Sequence, residues 1–123
     1  MSHEVRIRLD YTEEDVLNLT LYNVWRSTSS WIESFNSDEL GDKGYTTLYY
    51  TDPTTTGKDG YWKERQKRVR MKNLRDALNA LAEAHLTHCG VYSVTEALLN
   101  NDADACVSDM AMQYVVFNDV IFG

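Results

Sequence analysis

Cysteine, proline and long apolar runs are scarce in this chain, and each scarcity excludes a class of protein. Cys89 and Cys106 are the only cysteines. That is too few for the disulfide framework of a small secreted domain, so both read as small core residues in a reduced, cytoplasmic setting. No run of 18 apolar residues occurs, which leaves no candidate membrane span. The opening MSHEVRIRLD lacks the apolar core of a signal peptide. Glycine-rich phosphate loops, G-x-S-x-G elbows and zinc-finger spacings are all missing, and no cofactor is expected. From residue 76 to residue 123 there is no Lys or Arg at all.

What is present suits a folded protein. An apolar fraction of 43% beside 25% charged residues argues against general disorder, and 123 residues fit a single globular domain, 1–123. The formal net charge is -7, but the cations are concentrated: Lys63, Arg65, Lys67, Arg68, Arg70, Lys72 and Arg75 fall within thirteen residues that hold one acid, Glu64. Acidic sequence lies on both sides. Such a balance repels phosphate generally and suits a partner with a basic surface.

The order of elements follows from periodicity. Val5, Ile7 and Leu9 alternate with Arg6, Arg8 and Asp10, the pattern of a short strand over 4–10. Thr12 and Asp15 form a variant capping box, with Glu13 and Glu14 where a helix N-terminus favours anions. Leu17, Leu21, Val24, Thr28, Ile32 and Phe35 then recur at helical spacing, predicting a helix over about 13–35, weakened by the Ser and Thr of Arg26–Ser30. Tyr45–Thr51 is the clearest strand, rich in β-branched and aromatic residues. Asp52–Gly60 is turn-rich and contains Pro53.

Residues 60–90 organise the chain. They begin basic and end in a stripe of Leu74, Leu78, Leu81, His85 and His88, which predicts one long helix starting near Gly60 or near Arg68–Lys72 and closed by Gly90. Ser93 and Glu96 cap a short helix to Leu99, and a last helix runs from about Asp104 to Asn118. The expected architecture is α+β: a small antiparallel sheet packed against three main helices, in a single layer pair.

Three candidate sites arise. Tyr61 and Trp62 beside Lys63, Arg65, Lys67, Arg68, Arg70, Lys72 and Arg75 could contact phosphates and stack on a base, as a basic helix over 63–75. Against this, the same cations could neutralise the protein's own acids. His85, His88 and Cys89, at i, i+3 and i+4 on a helix, could hold zinc together with Cys106, although a helix-end structural role explains them as well. Glu13, Glu14, Asp15, Asp102, Asp104 and Asp109 could meet a basic partner or simply start helices. No catalytic constellation stands out. The expectation is therefore a small acidic, non-enzymatic protein-interaction module, of the type by which a mobile element or phage inhibits a host nuclease or defence complex by occupying its basic nucleic-acid-binding surface. Direct nucleic-acid binding is the first alternative and a small zinc-dependent protein the second. The aromatic content also suggests a homodimer.

Overall fold

A computed structural model describes residues 9–26, 31–36, 38–56, 60–88, 92–101 and 104–120. It shows an α+β fold: a three-stranded antiparallel sheet of order β1-β2-β3 and a separate two-stranded pair, with a layer of helices against the larger sheet.

Helix α1 (Glu13–Leu17) opens at the predicted capping box. The Asp15 N–H donates to Thr12 Oγ1 at 3.1 Å, and the Thr12 N–H donates to Asp15 Oδ2 at 3.3 Å. The helix passes through a π-helical turn, Asn18–Tyr22, into α2 (Asn23–Arg26). Leu19, Thr20 and Leu21 are all buried. A wider turn has more residues per rotation, so three consecutive side chains span a smaller arc and can all face inward. The Thr20 hydroxyl donates to the Val16 carbonyl at 2.6 Å, one turn back.

The expected helix over 13–35 is described as far as Arg26, and Ile32–Ser34 is instead strand β1. The Ser27–Ser30 stretch, where a break was expected, lies outside the described residues. Just beyond it Trp31, 2% exposed, makes an aromatic cluster with Tyr50 and Phe117, ring centroids 6.2 and 5.4 Å away. That burial anchors the chain into the sheet, and the Thr51 N–H donates to the Trp31 carbonyl at 2.8 Å. The helical spacing of Ile32 and Phe35 was coincidental.

After the short α3 (Asp38–Lys43), β2 (Thr46–Thr56) and β3 (Trp62–Val69) form a hairpin whose pairs run from Thr46↔Val69 to Asp52↔Lys63. The predicted strand is thus present and longer than expected, absorbing Asp52–Thr56 from the expected loop. Gly60, at φ +85, supplies a left-handed turn residue just before β3.

The basic helix expected over 63–75 does not exist: residues 62–69 are strand. WKERQKRV contains good helix formers, but pairing along β2 overrides that local preference. The helix is α4 (Met71–Glu83), close to the alternative start at Arg68–Lys72, and it buries Leu74, Ala77, Leu78, Leu81 and Ala82. It ends early. His85 takes the left-handed conformation, φ 52, that Gly90 was expected to supply; Gly90 itself lies outside the described residues. The Thr95 hydroxyl donates to the orphan Ala82 carbonyl at 2.6 Å.

The pair β4 (Thr87–His88) and β5 (Tyr92–Ser93) leads into α5 (Val94–Leu99), capped by Ser93, whose Oγ accepts from the Glu96 N–H at 3.2 Å. Helix α6 (Ala105–Phe117) starts at Asp104 and stops at Asn118 in the left-handed region, as expected. It lies between α4 and the α1–α2 segment and carries Val107, Ala111, Met112 and Val115 into the core.

Of the strand expected over 4–10, residues 4–8 lie outside the described ones, and Leu9 and Asp10 are not in a strand. They strap across α4 instead. The Leu9 N–H donates to Asn79 Oδ1 at 2.9 Å, and Arg75 Nη1 donates to the Tyr11 carbonyl at 2.7 Å. Among the described residues no helix is long and apolar enough to cross a membrane.

Candidate functional site

The extended conformation of β3 divides the basic cluster between two faces. Successive strand residues point to opposite sides, so Lys63, Arg65 and Lys67 follow Val69 to the helix side, while Arg68 lies on the open side with Trp62, Glu64 and Gln66. The flank that a helix would have made of Arg65, Arg68 and Lys72 is not formed.

Most of the cations also have local employment. Arg65 Nε pairs with Asp52 Oδ2 at 3.0 Å, where Asp52 is 7% exposed and also accepts from the Thr54 N–H at 2.8 Å. Half-buried Lys67 donates to the Val115 carbonyl at 2.8 Å, within the last turn of α6. A cation there meets the negative end of the helix dipole. The Arg68 guanidinium stacks over Tyr45, 4.1 Å from its centroid. Lys72 pairs with Asp76 at 2.6 Å across one turn of α4, and Arg75 holds Tyr11 as described. Lys63 and Arg70 are exposed.

Aromatic side chains reach solvent around this strand. Tyr61 is 75% exposed, Trp62 52% and Tyr49 44%. Tyr49 shares the open sheet face with Trp62, because it pairs with Gln66, four residues along the same side of β3. Tyr49 was not among the residues singled out from sequence. The alternation of Thr47, Tyr49 and Thr51 with Leu48, Tyr50 and Asp52 contained the signal.

The acidic candidates separate into surface and structural groups. Glu13 and Glu14 are exposed in the first turn of α1. Asp15 and Asp104 are exposed or half-buried helix caps; Asp104 Oδ1 accepts from the Val107 N–H at 3.0 Å. Asn101 Nδ2 lies 3.5 Å from Asp15 Oδ1, bringing the loop before α6 against the start of α1. Asp102, two residues before the Asp104 cap, lies outside the described residues.

Asp109 is half-buried and engaged in structural hydrogen bonds. Its Oδ1 accepts from Trp31 Nε1 at 2.9 Å, and its Oδ2 accepts from Gln113 Nε2 at 2.8 Å. Oδ1 therefore ties α6 to the segment that leads into β1, while Oδ2 braces Gln113 one turn along the same helix.

The helical i, i+3, i+4 arrangement of His85, His88 and Cys89 is absent. His85 is an exposed turn residue after α4, His88 lies in β4, and Cys89 is outside the described residues. Cys106 is an exposed thiol on α6. Among the described residues no three His, Cys, Asp or Glu side chains group as metal ligands.

The chain matches no protein-family model, curated protein or solved structure.

Three tyrosines have phenols displaced from their usual ionisation. Burial, then the Asp15 charge, pushes Tyr11 up to about 12. Burial, then the charge of Asp52, raises Tyr50, with Arg65 opposing; burial, then Asp119, raises Tyr114. All three stay neutral at ordinary pH, so none is poised as a general base.

Proposed function

We propose that this chain is a non-enzymatic protein-binding module whose acidic end, at Glu13, Glu14, Asp15 and Asp104, docks on a basic surface of a partner. A nucleic-acid-binding surface of a nuclease or defence complex has the complementary charge, and occupying it would make the module an inhibitor acting in a reduced, cytoplasmic setting. The observation that carries this reading is the Asn101–Asp15 contact, which joins the two acidic segments that sequence separates. It is supported by the local employment of Arg65, Lys67, Arg68, Lys72 and Arg75, which leaves the acidic surplus of the rest of the chain to dominate recognition. Asp109, engaged with Trp31 and Gln113, is no longer part of the docking set.

The test uses Glu13→Lys and Glu14→Lys together with Asp104→Ser, which removes the charge but keeps a helix-capping oxygen. Capture from native cell extract, with and without nuclease, identifies partners by mass spectrometry. A partner that survives nuclease and is lost with the triple variant supports the docking surface. Equal capture by the variant overturns it.

Direct nucleic-acid binding through residues 61–75 is the second reading, favoured by the exposure of Tyr61 and Trp62 beside Lys63. It requires affinity that falls steeply between about 50 and about 200 mM salt in a filter-binding assay.

A further inference from the structure

We draw no further inference here: the strongest candidate, the open face of the three-stranded sheet around exposed Tyr49 and Trp62, carries none, because nothing among the described residues shows what covers it and Arg68 on the same face is already stacked over Tyr45.

Discussion

Asp109→Asn separates a structural carboxylate from a recognition carboxylate, and its effect can be worked from two distances. Asp109 Oδ1 and Oδ2 accept from Trp31 Nε1 at 2.9 Å and Gln113 Nε2 at 2.8 Å. Asparagine is nearly the same size, but it has one acceptor oxygen and turns a second donor toward a donor. One bond is therefore lost and the other loses its charge assistance. Hydrogen bonds to a charged group contribute about 1.5–3 kcal/mol and neutral ones about 1 kcal/mol, and because Asp109 is half-buried the low end of that range applies, so the variant should lose roughly 2–3 kcal/mol of stability. For a chain of this size that is a fall in Tm of about 10 °C. Urea unfolding followed by far-UV circular dichroism gives the free energy and the m-value together. Near-UV ellipticity reports the Trp31 environment. A loss below about 0.5 kcal/mol at unchanged m would refute the structural assignment, since that is the range of ordinary surface substitutions. Exposed Glu13→Gln and Glu14→Gln should fall within that range.

Tyr11 places a hydroxyl in the interior with no hydrogen-bond partner among the described residues, so Tyr11→Phe should stabilise the protein by about 1 kcal/mol in the same urea titration. Tyr11 ionises near 10 unfolded and near 12 folded. Above pH 10 the unfolded chain binds fewer protons than the folded one, so stability is complete below pH 10 and declines through about pH 12. Urea titrations across that interval should show a shallower decline for Tyr11→Phe, with Tyr50 and Tyr114 retaining a residual slope of the same sign. Lys67→Met keeps the aliphatic stem but removes the donor to the Val115 carbonyl. It should cost about 1–2 kcal/mol by thermal unfolding, and more at low salt than at high.

The helix starts were legible because capping is local. Thr12, Ser93 and Asp104 each place an oxygen on the N–H three residues on, as their sequence contexts implied. The core stripe of α4 was legible from Leu74 to Leu81 because one face carries one period. Beyond Leu81 the histidines continued the spacing without the structure. His85 is one of the residue types that tolerate a left-handed backbone, and nothing in its spacing distinguishes a helix end from a helix interior. Strand β3 was illegible for a different reason. It is an edge whose helix-side row, apart from Val69, is Lys63, Arg65 and Lys67, so the alternation of apolar and polar residues that marks a strand is missing. Its identity is decided by its pairing with β2. The acidic candidates were found by composition, but composition does not distinguish Glu13 at the surface from Asp109, which accepts from Trp31 and Gln113.

The π-helical turn at Asn18–Tyr22 gives the first helix a tolerance for changes of length that the other helices lack. A π turn is an α-helix holding one residue in excess. Deleting exposed Asn18 should let the segment relax to α-helix while Val16 and Val24 keep their inward bearings. The same one-residue deletion within Leu74–Leu81 would rotate the rest of α4 by about 100° and take its apolar face out of the core. The first helix can therefore shorten by one residue at little cost in folding, and related chains should be found to differ in length there sooner than in α4.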